Sequence, residues 1–359
     1  MDDARNETET IEDVLLTLVA ELCDFEPDKQ REWLQTLLET NEPTFYETNA
    51  SGLTALHIAA ANGSSAMLLL LLEKGARPTM SKQTNMTELP LHAAARTGRN
   101  ENVELLLEFG SEVNDIDDLG RTALHTAATS GQTSTVQLLI KRRARLDVID
   151  REGKTALLRT IANYASSLPS RESCSTACVY VLIENKARLD IQDCDERTAL
   201  HHASASLSPL APLLVETLLV HGATVDIPDK HGRTALQYAS KLGLDVVMEA
   251  LLKGGADVDW QDYQGFTALH HACASSCLSN GVHLVADHMA DCGNESKERW
   301  PAFKCECTNT HGSAVNVLLD GGADASIQNQ NQQKASGLTE DEGILDQIEE
   351  YSNDAWKCL

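Results

Sequence analysis

Five histidines, His57, His92, His125, His201 and His270, occupy one recurring slot, and cysteines and histidines crowd the stretch from residue 277 to 311. Imidazoles and thiolates serve as bases, nucleophiles and metal ligands, so these two groups are where chemistry is sought first. In the crowded stretch, His288 and Cys292 are four apart and share one face if helical, and Cys305-x-Cys307 adds two thiolates. Four such ligands could close a tetrahedral zinc site, and the metal would fold an insertion too small to have its own core. The stretch also holds Cys277, His283 and His311, but the spacing matches no known zinc template and Cys-x-Cys is a weaker signal than paired Cys-x-x-Cys, so buried or free thiols are the favoured reading. Cys174 and Cys178 read as core positions of a helix. The five histidines stand one or two repeats apart, too far to converge on one catalytic centre. Gly153-Lys154-Thr155 resembles the end of a phosphate loop, but Val148 stands where the leading glycine is required, so the segment reads as a turn. The sequence contains no HExxH, no GxSxG and no kinase signature. No enzyme is indicated.

What positions the histidines is a repeated element. Thr-Ala-Leu-His begins at Thr54, Thr122, Thr198 and Thr267, with worn copies at Leu89, Thr155 and Thr234. Successive copies start 35, 33, 33, 43, 36 and 33 residues apart. A period of that size marks a stack of supersecondary units rather than a single-core globule.

The third copy shows why each unit folds as it does. Asp117 and Gly120 bracket a tight turn, glycine supplying the positive φ. Thr122 is placed to cap the next helix, and Leu124, Ala127 and Ala128 fall on one face at helical spacing, the alanines allowing close approach of a neighbour. Gly131 closes this helix, and a second helix follows with Val136, Leu139 and Ile140 as its expected buried face. The second helix ends at a slot filled by Gly75, Gly110, Gly222, Gly255 and Gly322 in other copies, where a left-handed cap suits glycine. Arg143 and Lys186 fill that slot in the third and fourth copies, and each costs about 1 kcal/mol if the conformation is kept.

The turn Asp-x-x-Gly-x-Thr, the helix start Thr-x-Leu-His-x-Ala-Ala and the ending Leu-Leu-x-x-Gly-Ala resemble the ankyrin-repeat family over about 280 of 359 residues. The resemblance implies an all-α solenoid of helix–turn–helix units with β-hairpin turns, about seven repeats plus a degenerate eighth after Asn329. It also implies that the histidines bond locally and tie neighbouring turns together. The site it implies is the concave groove of hairpin tips and first helices, which binds partner proteins. In this chain those positions are Asp118, Leu119, Arg121, Arg151, Lys154, Asp195, Arg197, Lys230, His231, Arg233, Tyr263 and Phe266. Arg121, Lys154, Arg197 and Arg233 recur at one slot as a cationic row suited to acidic groups, and Tyr263 with Phe266 reads as an exposed hot-spot pair. Gly110-Ser111-Glu112-Val113-Asn114 is similar to the family's asparagine hydroxylation sites, which makes Asn114 a candidate for modification. The chain departs from the pattern at Leu89 and Thr87, which replace the capping Thr and the turn Gly, at Glu196, which replaces another turn Gly, and in six copies with Ala at the first helical position in place of Pro.

Counting from the Thr slot to the closing slot places extra residues between the two helices of the fourth, fifth and seventh units. Their main expected locations are near 163–173 and 277–312, at the edge away from the hairpins, with Ser166-Ser167-Leu168-Pro169-Ser170 read as a mobile loop. Residues 1–44 read as an acidic helical hairpin that either caps the first repeat or forms a separate binding module, 45–333 as the repeat domain, and 334–359 as an acidic closing helix and tail.

Net charge is −25, and residues 1–50 alone carry 14 acidic and 3 basic side chains. That field disfavours nucleic acid and anionic membrane and favours basic protein partners, although charged ends also simply confer solubility. No apolar run is long enough to span a bilayer. Ten cysteines without signal-peptide features at the first residues point to reduced thiols in the cytoplasm or nucleus. Lys141-Arg142-Arg143-Ala144-Arg145 could serve as an import signal, but it ends a repeat helix, where cations favour the dipole, and that structural reading is ahead. The expectation is therefore a monomeric, cofactor-free, non-enzymatic scaffold or adaptor that binds a protein along the groove. Two alternatives remain: a ubiquitin-ligase- or transcription-linked adaptor acting through the N-terminal helices, and a zinc-dependent regulator acting through the 277–312 insertion.

Overall fold

In a computed structural model of the chain, the described residues are Thr48, 52–62, 65–78, 88–166, 172–276 and 310–354. The expected N-terminal helices over 1–44, the Leu89-side hairpin and the zinc candidates His288, Cys292, Cys305 and Cys307 lie outside them. The chain divides into two compact units, one ending at Arg188 and the other beginning at Leu189.

The N-terminal unit is built from helix pairs α1/α2 (Ala55–Asn62, Ser65–Glu73), α3/α4 (Pro90–Thr97, Asn100–Glu108), α5/α6 (Ala123–Thr129, Thr133–Lys141) and α7/α8 (Ala156–Ser166, Glu172–Glu184). First helices pack on first helices, α1 on α3, α3 on α5 and α5 on α7; second helices pack on second helices in the same order. Their shared core is aliphatic: Leu56, Leu91, Leu124 and Leu157 from the first helices, and Leu68, Leu106, Leu139 and Leu182 from the second, all buried. Alanines such as Ala59, Ala94 and Ala127 sit between them and are fully buried. A helix of seven or eight residues is marginal alone in water, so its stability comes from this burial on both sides. Two buried polar groups cross between pairs without loss. The Asn102 amide donates to the Ala59 and Ala60 carbonyls, and the Thr135 hydroxyl donates to the Asn100 side-chain oxygen at 2.7 Å. The buried face of α6 is thus Thr135, Val136 and Leu139, with Ile140 only half-buried, because Thr135 has found a partner inside.

The C-terminal unit repeats the scheme with α9/α10 (Ala199–Ser204, Ala211–Val220), α11/α12 (Ala235–Leu242, Asp245–Lys253) and α13/α14 (Ala268–Ser276, Thr310–Asp320). It closes with a 3-10 turn at Ala335–Leu338 and α15 (Glu342–Asp354), which packs on α14 through buried Ile344 and Ile348. Spacing alone placed residues 163–173 and 277–312 between helices. In the structure α7 runs to Ser166 and α8 starts at Glu172, so most of the first excess lengthens helices, and 310–312 already belong to α14.

Each hairpin closes the same way. The Asp117 amide donates to the Arg121 carbonyl and the Gly120 amide to the Asp117 carbonyl, both at 2.9 Å, with Asp150, Asp193, Asp229, Asp262 and Asn329 in equivalent turns. Among the described residues the β pairing amounts to isolated bridges, Ile116 with Thr122 and Gln328 with Lys334. Among the described residues no helix is long and apolar enough to cross a membrane.

The left-handed slots keep their conformation whatever fills them. Arg143 and Lys186 adopt φ of 66° and 69° where the glycines take positive φ, and Glu196 adopts 60° in the turn slot. A β-carbon added at the equivalent turn glycine Gly265 would come within 2.9 Å of the next hairpin's backbone. Glu196 therefore holds an unfavourable conformation, at a crowded position, worth about 1 kcal/mol. Replacing Glu196 with Gly is expected to raise the free energy of urea unfolding by about that amount; an unchanged or lowered midpoint would show that the strain is illusory.

Candidate functional site

The recurring histidines are ties between successive pairs. At His125, Nδ1 faces the Thr122 amide at 3.1 Å and the Thr122 hydroxyl at 2.9 Å, while Nε2 lies 3.1 Å from the Lys154 carbonyl of the next hairpin. An amide only donates and a carbonyl only accepts. Nδ1 must therefore be bare and Nε2 must carry the proton, which fixes a neutral imidazole in one tautomer. The same arrangement joins Thr54, His57 and Glu88; Thr198, His201 and Arg233; and Thr267, His270 and Gln333. Gln237 substitutes where the sequence lacks histidine, its oxygen accepting from Thr234 and its nitrogen donating to Phe266. His92 keeps the outgoing bond to Arg121 at 2.7 Å, but with Leu89 in place of threonine its buried Nδ1 has no partner. Leu158, at this slot in α7, has no hydrogen-bonding group in its side chain.

Burial lowers the basicity of His57, His92, His125, His201 and His270, the carbonyl bonds only partly opposing it, and His201 is brought down to about 4. These imidazoles have a structural role: each holds the next hairpin through its Nε2 bond to a backbone carbonyl.

Beneath five of the described hairpins lies a buried aspartate, Asp117, Asp150, Asp193, Asp229 or Asp262, with Asn329 in its place in the last. One oxygen of Asp117 accepts from the Leu119 and Arg121 amides, and the other pairs with the Arg121 guanidinium at 2.7 Å. Asp229 does the same with the His231 and Arg233 amides and the Arg233 side chain at 3.0 Å. Elsewhere the second oxygen is met by the residue nine positions later: Arg159 on Asp150, His202 on Asp193 at 2.8 Å, the Tyr238 hydroxyl on Asp229 at 2.8 Å and His271 on Asp262 at 3.0 Å. Burial works to raise the Asp193, Asp229 and Asp262 carboxyls, but these donors outweigh it and hold them below the ordinary carboxylate range. This slot escaped the sequence reading because its residue type varies; the constant offset of nine and the shared capacity to donate were the available signal.

The expected cationic row is consequently not outward-facing. Arg121 and Arg233 fold back on their own aspartates, Lys154 pairs with Glu152 at 2.9 Å, and Arg197 leans toward Asp195 at 3.8 Å. A buried carboxylate demands a partner, and a guanidinium four residues away is within reach. Arg197 and Arg233 also flank the Tyr238 ring at 5.6 and 4.8 Å from its centre. Burial, with the Asp229 carboxylate, pushes that phenol upward against the two cations. Phe266 is half-buried, tilted against the His270 and His271 rings at 5.6 and 5.5 Å, so only Tyr263 of the anticipated pair is exposed, at 65%.

The tips themselves face outward. In the N-terminal unit Asp118, Leu119 and Arg151 are exposed, and the Arg151 amide donates to the Leu119 carbonyl, linking adjacent tips. In the C-terminal unit Lys230 and His231 are exposed and Asp195 is half-exposed; the Lys230 and Tyr263 amides reach the Asp195 and His231 carbonyls, and the Lys230 ammonium pairs with Asp195. Asn114 belongs to another repeated link. Its side-chain oxygen accepts the Arg145 amide at 2.8 Å, as Asp147 accepts Arg188, Asp190 accepts Thr224 and Asp259 accepts Asp324. The zinc candidates lie outside the described residues, and among the described residues no group of three or more potential ligands is arranged to hold a metal ion.

Paired short helices stacked on one another, most of them tied to the next hairpin by a Thr-Ala-Leu-His start or its Gln237 equivalent, define a helical repeat protein whose product is surface. The ankyrin-repeat family model matches residues 26–117, 91–169 and 211–296, most of the chain, and the chain belongs to that family. Two solved structures share the fold: the ankyrin repeat domain of Bcl-3 (TM-score 0.55, 24% identity, 73% of this chain and 98% of that one) and that of human ASB11 (0.51, 22%, 71% and 96%). Local sequence similarity extends to the E3 ubiquitin-protein ligase KEG of Arabidopsis thaliana, 36% identical over 93 residues, covering 26% of this chain and 6% of that protein. It extends also to protein phosphatase 1 regulatory subunit 12A of Mus musculus, 37% over 73 residues, and to human transient receptor potential cation channel subfamily A member 1, 36% over 81 residues. These stretches cover 20% and 23% of this chain, and 7% of each relative.

The neutral ties make the stack sensitive to acid. Unfolded histidine takes a proton near pH 6.5, whereas folded His201 resists until about 4, so stability is full above 6.5 and is lost as pH falls toward 4. At pH 5 the loss from His201 alone is about 2 kcal/mol. Changing His201 to Gln, the solution used at Gln237, is expected to keep the tie and remove that share of the pH dependence. Thermal melts at pH 7.5 and 5.0 that fall equally in both proteins would contradict the neutral-tautomer assignment.

Proposed function

We propose that this chain is a non-enzymatic protein-interaction module, a scaffold or adaptor that engages a partner through its hairpin tips and the adjoining starts of its first helices. Ankyrin repeats are protein-interaction repeats, and the relatives that share them differ in everything else their names record: a ubiquitin ligase, a phosphatase regulatory subunit, a cation channel. The shared stretch is the repeat itself, so none of those activities carries over.

The observation that carries the proposal is how the polar groups of this face are apportioned. The aspartates, histidines and arginines beneath the tips are consumed by internal bonds, while Tyr263 presents a ring 65% exposed at a tip held by backbone bonds on both sides. A large aromatic on a rigid mount binds with little entropy loss, which is why such residues anchor interfaces. Leu119, Ile116 and Ile149 give the N-terminal unit an apolar counterpart on its own hairpins.

Charge reversal at Arg233 would take a partner from buried Asp229 and report on folding, so exposed positions give the cleaner experiment. Tyr263→Ala with His231→Ala is expected to weaken a purified partner's affinity at least tenfold, about 1.4 kcal/mol, with an unchanged melting temperature. Full retention of the partner by this double variant and by Leu119→Ala would remove the tip face from consideration.

A further inference from the structure

The ends of α6 and α8 carry a second surface, made of residues other than those of the hairpin tips and independent of the reading above. Arg143 closes α6 and Lys186 closes α8, and these two helices pack against each other. Both residues hold a positive φ, 66° and 69°, at a slot where five other pairs place glycine. A β-carbon added at those glycines would meet nothing within 4 Å, so a side chain there gains no packing in return for the strain. Two residues further on stand Arg145 and Arg188, fixed on consecutive rungs because their amides donate to Asn114 and Asp147 at 2.8 and 2.9 Å. All four side chains are exposed, and none forms an ion pair among the described residues. Lys141 extends the group, whereas Arg142 turns away to Glu104 at 2.8 Å.

Favourable placement of cations at helix C-termini does not account for the pattern. The second helices of the C-terminal unit end in the same conformation with Gly222, Gly255 and Gly322, and carry Thr224, Asp257 and Asp324 where Arg145 and Arg188 stand. Strain retained without packing gain points to function.

We propose that Arg143, Arg145, Lys186 and Arg188 form a docking surface for an acidic peptide segment of a partner protein. Charge complementarity within the patch favours it, and the net charge of −25 over the whole chain opposes long polyanions such as nucleic acid or an anionic bilayer. A short peptide lies within one Debye length of the patch, about 8 Å at physiological salt, and meets mainly these cations. Packed helices stand about 8–10 Å apart, so an extended segment with acidic residues three apart matches consecutive rungs.

Fluorescence anisotropy with a labelled Asp/Glu-rich peptide of about twelve residues, against a neutral peptide of equal length, tests the assignment on the full chain. The expected result is salt-sensitive binding that falls at least tenfold in Arg145→Glu/Arg188→Glu and in Arg143→Gly/Lys186→Gly. The glycine pair should unfold at a higher temperature than the parent, so its loss of binding cannot be blamed on misfolding. Tyr263→Ala should bind the peptide normally, which separates this surface from the hairpin face. Equal affinity in parent and patch variants, no preference over the neutral peptide, or patch-dependent binding of phosphatidylserine vesicles or duplex DNA in place of the peptide would each overturn the proposal.

Discussion

A buried, uncharged imidazole that donates in one direction and accepts in the other is the interaction on which the stack depends. A pair of short helices can bury its aliphatic faces only against neighbours, and burial alone is non-directional. The histidine supplies the missing direction. By accepting from the Thr198 amide and donating its Nε2–H to the Arg233 carbonyl, His201 fixes where one helix begins and where the next hairpin passes. Gln237 shows that the requirement is one acceptor and one donor at the right separation, since an amide meets it as well. Where the geometry is half-provided, as at His92 beside Leu89, a buried nitrogen is left without a partner.

The aspartates under the hairpins solve a companion problem. A tight turn leaves amides pointing inward, and a carboxylate can accept several at once. Burying that charge is costly unless its remaining lone pairs are also met. Each pair has therefore recruited another donor: Arg121 or Arg233 from the turn, or Arg159, His202, Tyr238 or His271 from the helix that follows. Different residues satisfy one electrostatic demand, which explains why chemical type varies at these slots while the fold does not.

The repeat architecture was legible because the sequence supplies its own control: seven copies of one motif, three of them worn, separate what every unit needs from what one unit happens to have. The same comparison exposed Arg143, Lys186 and Glu196 as intruders in glycine slots, and the structure places all three at positive φ. Side-chain direction was not legible. A periodic row of Arg121, Lys154, Arg197 and Arg233 reads as an outward charge ladder, yet a rotamer turned inward obeys the same spacing. Asn114 was singled out through a motif, while its partner, the Arg145 amide, lies in the next repeat and leaves no trace in local sequence. Phe266 and Tyr263 are three residues apart, and only contact with the His270 and His271 rings separates the half-buried one from the exposed one.

These internal demands also explain why membership of this family says so little about a partner. Every residue that recurs is spent on holding pairs together, so recurrence marks architecture. Specificity must reside at positions the fold leaves unconstrained, where a substitution changes neither a tie nor a turn. Tyr263 is such a position: its backbone is committed to neighbouring tips while its ring projects outward. The closing slots of α6 and α8 are more telling, because there the fold does express a preference, for glycine, and the chain departs from it twice with a cation. A departure that weakens the scaffold and adds no packing is easier to understand as recognition than as structure, and its occurrence on two adjoining helices makes chance replacement the weaker explanation.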